Sequence, residues 1–328
     1  MVSSISPENA LKAYGDMFLI RQFEERSAQL YSMRLIAGFC HLYTGQEAVV
    51  VGIQSVLKPQ DSLITAYRDH GHMLACGMDP RGVMAELTGR SGGYSKGKGG
   101  SMHMFSREKN FFGGHGIVGA QVPIGTGLAF AHKYNEDGGI CITSLGDGAA
   151  NQGQVYESYN MASLWKLPVV YVIENNGYGM GTSVARSSAG PNYFGRGKGW
   201  DIPGEKVDGM EILKVQEAAK RAVDHTRSGK GPYILEMDTY RYRGHSMTDP
   251  AKYRSKEEVE GIKENRDPIV HFKAYMIKTL KIPETHIKPI EDKIKLIVAE
   301  AVEFSKTSPE PDPSELYTDV LKEGNSIL

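Results

Sequence analysis

Two short polar motifs, each placed after a stretch of apolar residues, constrain the fold of this chain most. Gly146-Asp147-Gly148 follows apolar residues 140–145, and Asn175-Asn176 closely follows apolar residues 168–173. Residues 152–166 between them have a helical pattern, so the segment predicts a parallel crossover unit of strand, helix and strand. Because both strands are predominantly apolar, with only Thr143 and Ser144 as small polar residues in the first, we expect helices to cover both faces of the sheet.

The segments on either side of this unit predict further helices and strands. Ser6 has the form of a helix N-cap with Pro7 in the first turn, and this helix should run to about residue 33. The stretch from Thr44 to Glu47 has the form of a capping box that opens a second helix. Additional strands are predicted over residues 61–66 and 233–239, and additional helices over residues 79–89 and 211–227.

The whole chain is predicted to form one α/β domain, with a parallel sheet covered by helices and with helical extensions at both ends. We place this single domain over residues 1–328, with a helical N-terminal segment at 1–58. A charged helical tail, interrupted by prolines, should occupy residues 255–328. The sequence contains no internal repeat and no long low-complexity linker.

Composition argues against several classes of function. The net charge is −1 and no basic block is present, so neither nucleic acid nor an anionic membrane surface is indicated as a partner. The three cysteines form no C-x-x-C pair, which disfavours a zinc site and a disulfide framework. The longest apolar runs are too short to span a bilayer. No secretory or transit peptide is visible, so we expect a cytoplasmic bacterial protein or a trimmed chain of the mitochondrial matrix.

Glycine is unusually frequent in this chain. The 38 glycines concentrate between residues 89 and 119 and between residues 138 and 204. This distribution indicates either irregular loop structure or backbone brought close to a ligand. The sequence leaves both interpretations open.

Polar side chains with chemical potential follow four predicted strands. Tyr67-Arg68, Asp147, Asn176 and His245 each lie just beyond the end of a strand. Ligands of open parallel sheets bind outside the carboxyl ends of the strands, so we expect these residues to converge. An Asp carboxylate and an Asn carbonyl are hard oxygen donors that suit Mg²⁺ or Ca²⁺. Either motif alone is also common turn chemistry, but the pair on successive strands favours a metal and phosphate site.

The chain resembles a known enzyme family in these motifs and in others. GDG followed about 26 residues later by NN is the signature of thiamine-diphosphate enzymes. CHLYTGQEAV, TAYRDHGH, KGKGGSMHMF, GIVGAQVPIG, YGMGTSV and YRYRGHSMTDP are similar to segments of the alpha subunits of thiamine-diphosphate-dependent 2-oxoacid dehydrogenases, in particular those that act on pyruvate. The resemblance covers about residues 10–315 and implies thiamine diphosphate and Mg²⁺ as cofactors.

The resemblance also implies residues that hold the metal and the diphosphate. Asp147, Asn176 and the backbone carbonyl of Tyr178 match the magnesium ligands of the family. Tyr67 and Arg68 match the motif that contacts the diphosphate, for which a guanidinium is a suitable bidentate donor.

The remaining implied contacts lie along the cofactor and at the substrate. Gly148 and Ala149 match positions against the phosphate, and Gly116 and Val118 match positions around the cofactor rings. His245 matches the active-site histidine on a mobile loop, which also contacts the cofactor, and His41 matches the histidine near the bound 2-oxoacid. We interpret His41 and His245 as catalytic residues that orient the substrate.

The implied reaction is the oxidative decarboxylation of pyruvate, with transfer of the two-carbon unit to the lipoyl group of an acyltransferase component, giving acetyl-CoA and CO₂ in the full complex. Activation of the cofactor requires a glutamate that the family carries on a separate beta chain, in a heterotetramer of two alpha and two beta subunits. This chain shows no second domain of similar size that would carry it. We therefore expect it to be inactive without its partner.

Other functions fit the sequence less well. Acetoin dehydrogenase alpha subunits carry a His-Arg pair where this chain has Tyr67-Arg68, and branched-chain 2-oxoacid dehydrogenases diverge at CHLY. A nicotinamide dehydrogenase would need a G-x-G-x-x-G motif after a strand, which is absent. A non-catalytic structural subunit would be expected to have lost some of the site residues. Ser246 matches a phosphorylation site of mitochondrial relatives, but the sequence settles neither its modification nor the order of the loop at residues 241–254.

Overall fold

The computed structural model describes residues 5–190 and 192–319. The strands within these residues are β1 (Ser62–Ala66), β2 (Phe111–His115), β3 (Cys141–Gly146), β4 (Val169–Asn175), β5 (Tyr178–Gly179), β6 (Thr182–Ser183), β7 (Gly204–Asp208) and β8 (Tyr233–Asp238). The helices are α1 (Pro7–Ser32), α2 (Glu47–Gln54), α3 (His70–Ala75), α4 (Pro80–Leu87), α5 (Gln121–Asn135), α6 (Gly153–Leu164), α7 (Val184–Ser187), α8 (Ile212–His225), α9 (Lys256–Arg266), α10 (Pro268–Lys278) and α11 (Glu284–Thr307).

Six strands form one parallel sheet in the order β2-β1-β3-β4-β8-β7. The order reverses between β1 and β3, which makes their junction the topological switch point of the sheet. β3 and β4 pair from Cys141 opposite Val169 to Gly146 opposite Glu174. Their carboxyl ends are therefore level, and the polar residues that follow them start from the same edge.

Alternate residues of the central strands pack on opposite faces of the sheet. Ile142 and Val172 belong to a core shared with α1, α2, α8 and α11, whereas Leu145 and Ile173 belong to a core shared with α5 and α6. Successive side chains of a strand point to opposite faces, so this division is the expected consequence of apolar strands. The predicted parallel sheet with helices on both faces is confirmed.

The two helical extensions pack against each other at one side of this sheet. The Ser6 hydroxyl accepts a hydrogen bond from the Asn9 N–H at 3.2 Å, so the predicted N-cap of α1 is correct. The Tyr14 hydroxyl on α1 donates to the carboxylate of Glu291 on α11 at 2.6 Å. Residues 1–4 and 320–328 of the predicted helical ends lie outside the described part of the chain. No helix among the described residues has the length and the hydropathy needed to cross a bilayer.

The predicted capping box at the start of α2 is wrong. Helix α2 begins at Glu47, with Gln46 as its N-cap, so Thr44 lies two residues before the capping position. The Thr44 hydroxyl has no hydrogen-bond partner among the described residues. The Glu47 carboxylate instead accepts from the Gly45 N–H, with distances of 3.1 and 3.0 Å to its two oxygens. Arg21 of α1 also donates to this carboxylate at 2.6 Å, so a tertiary contact fixes the start of the helix.

Several elements were not predicted from the sequence, among them β2, β7 and α3. β2 has the sequence FFGGH and β7 has the sequence GEKVD, and both are the edge strands of the sheet. α3 is a short helix in the polar segment after β1. Edge strands are less apolar than central ones because each has a partner strand on one side only. They therefore lack the long apolar run by which β3 and β4 were predicted.

The glycine-rich loop after α4 is wrapped around one buried carboxylate. Glu86 accepts hydrogen bonds from the backbone N–H groups of Ser95 at 2.8 Å, Gly97 at 2.9 Å, Gly99 at 2.7 Å and Gly100 at 3.1 Å. A side chain at Gly99 would place its Cβ 2.0 Å from the carbonyl oxygen of His103. In this loop the glycines therefore let the backbone fold tightly around Glu86, which is a structural use of the residue type.

Candidate active site

A cavity of about 920 Å³ opens at the carboxyl edge of the sheet, at the ends of β1, β3 and β4. The residues predicted to form the site all line it: His41, Tyr67, Arg68, Gly116, Val118, Asp147, Gly148, Ala149, Asn176, Tyr178 and His245. They come from segments up to 204 residues apart in the chain. The parallel sheet brings them together because each follows a strand end or packs beside one.

One corner of the cavity presents oxygen atoms from two neighbouring strand ends. Asp147 is buried after β3, and its Oδ2 atom has no hydrogen-bond partner among the described residues. Burial raises the pKa of this carboxyl above its ordinary value, an effect that the nearby Arg241 opposes. Asn176 Oδ1 and the Tyr178 carbonyl both accept from Nη1 of Arg241, at 2.8 and 2.5 Å. The corner thus offers three oxygens, two of which already face a positive charge.

This set of oxygens fits a hard divalent cation. Carboxylate, amide and backbone oxygens are the donors that Mg²⁺ and Ca²⁺ prefer, and an unpaired buried carboxylate is costly without a cation. Among the described residues there is no group of three or more His, Cys, Asp or Glu side chains that could hold a metal ion by themselves. The donor chemistry therefore favours a cation that takes its remaining ligands from phosphate or water.

The backbone beside this corner is shaped by close approach of two glycines. A Cβ on Gly148 would lie 3.3 Å from the Cα of Gly179, and a Cβ on Gly179 would lie equally close to Gly148. Ala149–Asn151 forms a single 3-10 turn before α6, with Gly148 as its N-cap. Free N–H groups at the start of such a turn are suitable donors for a phosphate.

Two histidines lie together in the lining of the same cavity. His41 Nδ1 is 2.9 Å from the carbonyl oxygen of His245, so this nitrogen carries the proton and Nε2 of His41 is left as an acceptor. The ring centroids of His41 and His245 are 5.0 Å apart, and the Tyr67 hydroxyl lies 3.4 Å from Nε2 of His245. Arg68 donates to the carbonyl oxygens of Leu42 at 2.7 Å and His245 at 2.8 Å.

Both histidines are neutral at physiological pH. Burial and the positive charge of Arg68 lower the pKa of His41 to about 3. Burial, Arg68 and Arg241 lower the pKa of His245 to about 4. A neutral imidazole accepts a hydrogen bond or a proton at one nitrogen while donating from the other. The pair is therefore suited to hold and orient a polar substrate.

A network that the sequence did not predict holds the segment carrying His245. Arg241 donates from Nη2 to the Tyr253 hydroxyl at 2.7 Å, and Tyr253 donates to Asp249 Oδ2 at 2.7 Å. The same carboxylate accepts from the His245 N–H at 2.6 Å. Ser246 is buried beside it, with its hydroxyl 2.8 Å from that of Thr248. The sequence offered one signal for this network. Arg241 lies three residues after the apolar strand β8, and an arginine buried at such a position needs several hydrogen-bond acceptors.

Comparisons with known proteins identify the family of this chain. A model of the family described as "Dehydrogenase E1 component" matches residues 15–314. "Pyruvate dehydrogenase E1 component subunit alpha" of Rhizobium meliloti (strain 1021) is 62% identical over 320 residues, which are 98% of this chain and 92% of that protein.

Two further relatives match over similar lengths. The protein of the same description from Zymomonas mobilis is 60% identical over 315 residues, covering 96% of this chain and 89% of that protein. "Pyruvate dehydrogenase E1 component subunit alpha, testis-specific form, mitochondrial" of Rattus norvegicus is 51% identical over 313 residues, covering 95% and 79% of the two chains. These matches confirm the resemblance inferred from the motifs. The chain belongs to the dehydrogenase E1 component family.

Proposed function

We propose that the chain is the alpha subunit of a pyruvate dehydrogenase, which decarboxylates pyruvate oxidatively and passes the two-carbon unit to the lipoyl group of an acyltransferase component. Full-length relatives at 51 to 62% identity that are described as such subunits support it. The observation that carries it is the convergence of the predicted site residues on one cavity at the switch point of the sheet. Acetoin dehydrogenase and branched-chain 2-oxoacid dehydrogenase are less well supported, since the relatives named above are described as pyruvate enzymes.

The family uses thiamine diphosphate, which would supply a nucleophilic carbon for the keto group and a ring that accepts the electron pair left behind when CO₂ departs. Asp147 Oδ2, Asn176 Oδ1 and the Tyr178 carbonyl would hold Mg²⁺ against its diphosphate. Tyr67, together with the backbone of Gly148 and Ala149, would donate to the phosphate oxygens. The unpartnered Oδ2 atom of buried Asp147 supports this assignment most directly.

The remaining residues of the cavity lining would bind the rings of the cofactor and the substrate. Val118 is an apolar side chain with 40% of its surface exposed, and it lines the cavity beside Gly116, where it would support the cofactor rings. His41 would accept a hydrogen bond at Nε2 because its other nitrogen is committed to His245. His245, with Tyr67 beside it, would orient the 2-oxoacid. Arg68 would fix this pair of histidines through the carbonyl of His245 and would face the diphosphate with its remaining N–H groups.

A beta subunit would complete the site with the carboxylate that activates the cofactor. Three acidic residues line the cavity in the described part of the chain, namely Asp147, Glu174 and Asp249. Asp147 is assigned to the metal, Glu174 accepts from Ser144 and Gln46, and Asp249 accepts from His245, Ala251 and Tyr253. None of them is free for proton transfer to the cofactor, which supports a carboxylate from a second chain.

The surface next to the cavity also supports a partner chain. Ile117 is 74% exposed, and α5 carries three further exposed apolar residues, Ile124, Phe130 and Tyr134. The Phe130 ring contacts those of Tyr134 and Trp165 at centroid distances of 6.2 and 5.8 Å. An exposed cluster of aromatic rings of this kind is typical of a protein interface. An assembly of two alpha and two beta subunits, in the cytoplasm of a bacterium, is the form in which we propose that the chain works.

The substrate assignment is tested by dye-linked oxidation of pyruvate, 2-oxoisovalerate and acetoin. The assay uses the chain reconstituted with its beta partner, thiamine diphosphate and Mg²⁺. Preference for pyruvate by at least about 100-fold in kcat/KM supports the proposal. Preference for acetoin or the branched acid would keep the family and overturn the substrate.

A further inference from the structure

The amide of Asn176 can present either of its ends to the cavity, and only one end can bind a cation. The oxygen end accepts and the nitrogen end donates, so a metal site requires that Oδ1 face inward. In the structure Asn176 Nδ2 donates to Gln46 Oε1 at 2.9 Å, which turns Oδ1 towards the cavity. A residue 130 positions away in the chain therefore sets the orientation of a proposed metal ligand.

The orientation of Gln46 is itself fixed by a carboxylate. Gln46 donates from Nε2 to Glu174 Oε2 at 3.2 Å, and its side chain is fully buried. A carboxylate accepts and does not donate, so Gln46 must turn its nitrogen to Glu174 and its oxygen to Asn176. Burial removes water as an alternative partner, and a reversed amide would leave buried donors facing each other.

Glu174 is in turn held in place by two further side chains. Its Oε1 atom accepts from the Ser144 hydroxyl at 2.5 Å and lies 2.9 Å from Nε2 of His72. Ser144 is on β3 and Glu174 is on β4, so the carboxylate is anchored to the centre of the sheet. The direction of every hydrogen bond from Glu174 through Gln46 to Asn176 is thereby determined.

The charge on the cavity side agrees with this direction. Arg241 Nη1 donates to Asn176 Oδ1 at 2.8 Å and also to the Tyr178 carbonyl. If the Asn176 amide were reversed, Nδ2 would face this guanidinium, donor against donor. The oxygen that we assign to the metal therefore faces a cationic group already.

We propose that Gln46 is a positioning residue that fixes the side-chain oxygen of Asn176 towards the metal site. This inference rests on the proposed metal assignment and deepens it by naming a residue that, together with Arg241, sets the orientation of the ligand. Gln46 touches neither the metal nor the substrate in this role. It acts through the amide of Asn176 alone.

The test measures metal binding directly, with Mn²⁺ as the probe, on the chain assembled with its beta partner and saturated with thiamine diphosphate. Gln46→Met keeps the length of the side chain but removes the acceptor, so it should weaken Mn²⁺ binding about 10- to 100-fold, as loss of a residue that orients a ligand does. The Mg²⁺ concentration for half-maximal activity should rise in parallel, while kcat at saturating Mg²⁺ stays within about twofold.

A matched control and a rescue variant separate orientation from packing. Gln54→Met makes the same change on α2, where Cys76 Sγ is the only donor to Gln54 in the described part of the chain, and should leave Mn²⁺ affinity unchanged. The exchange Gln46→Glu with Glu174→Gln keeps an acceptor facing Asn176 Nδ2 and should retain wild-type affinity within about threefold. If Gln46→Met does not fold, the exchange variant decides: retained affinity supports the proposal, and a loss of about 10-fold or more contradicts it.

Failure of this proposal is distinguishable from failure of the metal assignment. Asn176→Ala should abolish Mn²⁺ binding if the metal site is where we place it. Lost binding in Asn176→Ala with unchanged binding in Gln46→Met would overturn the role of Gln46 and keep the site. Unchanged binding in Asn176→Ala would overturn the metal assignment itself.

Discussion

The side-chain oxygen of Asn176 lies 2.8 Å from Nη1 of Arg241, a buried arginine that follows β8. Through its other terminal nitrogen the same guanidinium donates to the Met180 carbonyl and to the Tyr253 hydroxyl. Arg241 thus joins the proposed metal corner to the segment that carries His245. One side chain connects the two halves of the cavity.

Replacing Arg241 should destabilise both the proposed metal corner and the segment that carries His245. Arg241→Met would leave four buried or half-buried acceptors without their donor, so we expect a loss of at least about 2 kcal/mol in the free energy of unfolding. Proteolysis of residues 241–254 should become faster. Arg243→Met is the matched control, since that side chain is exposed, and it should change neither quantity measurably. Equal effects of the two variants would contradict the connecting role of Arg241.

Replacing Asp147 should change metal affinity and stability in opposite directions. Asp147→Asn removes a charge that is buried without a hydrogen-bond partner on Oδ2, so the metal-free protein should become more stable, with a higher Tm in the presence of EDTA. Loss of the carboxylate should weaken Mn²⁺ binding more than about 10-fold. Two results would contradict the role of Asp147 as a metal ligand. One is an Asp147→Asn variant whose Tm in EDTA is lower than that of the wild type, and the other is a variant that binds Mn²⁺ as tightly as the wild type.

The two neutral histidines should make stability depend on pH below neutrality. The pKa values of His41 and His245 are lowered to about 3 and about 4 in the folded chain, whereas the unfolded chain takes up protons near the ordinary value of about 6.5. The unfolded state therefore binds more protons as the pH falls from about 6.5 towards 4, and the stability that is present above this window is lost within it.

This pH dependence is measured as the fall in Tm between pH 7.5 and pH 5. Because His245→Gln removes one of the two groups, its Tm should fall less than that of the wild type over the same interval. His286→Gln changes an exposed histidine of α11 and should leave the wild-type dependence intact. A His245→Gln variant with the full wild-type dependence would show that folding does not lower the pKa of His245.

The buried Glu86 should be a large contributor to the order of the glycine-rich loop. Glu86→Gln replaces one acceptor oxygen by a donor that faces the N–H groups of the loop, so the free energy of unfolding should fall by about 1.5 to 3 kcal/mol. Cleavage of residues 90–105 by proteases should increase. Glu310→Gln is the control because Glu310 forms an exposed ion pair with Arg90, which should contribute less than about 0.5 kcal/mol.

The central part of the fold could be predicted from the sequence because its signals are local. β3 and β4 are continuous apolar runs closed by polar turns, and a parallel arrangement follows from the helix between them. Their carboxyl ends then place Asp147 and Asn176 at one edge without any knowledge of long-range contacts. The family resemblance added His41, Gly116 and Val118, which no local pattern would have selected.

The parts that could not be predicted depend on contacts between distant residues. Gln46 is unremarkable in the sequence, and its importance comes from Glu174 and Asn176, which lie 128 and 130 residues away. Glu86 lies within an amphipathic helix, and only the folded loop shows that its carboxylate accepts from four backbone groups. The start of α2 was misplaced for the same reason, since Arg21 rather than Thr44 fixes Glu47.

The central claim, that this chain is one half of a pyruvate dehydrogenase, is tested most directly by pyruvate oxidation with an artificial electron acceptor, in the presence of thiamine diphosphate and Mg²⁺. The chain alone, the beta partner alone and the two together are compared at equal concentrations. We predict turnover only when both chains are present, because no cavity carboxylate among the described residues is free to activate the cofactor. Robust turnover by this chain alone would contradict the account, and so would an assembled pair that does not act on pyruvate.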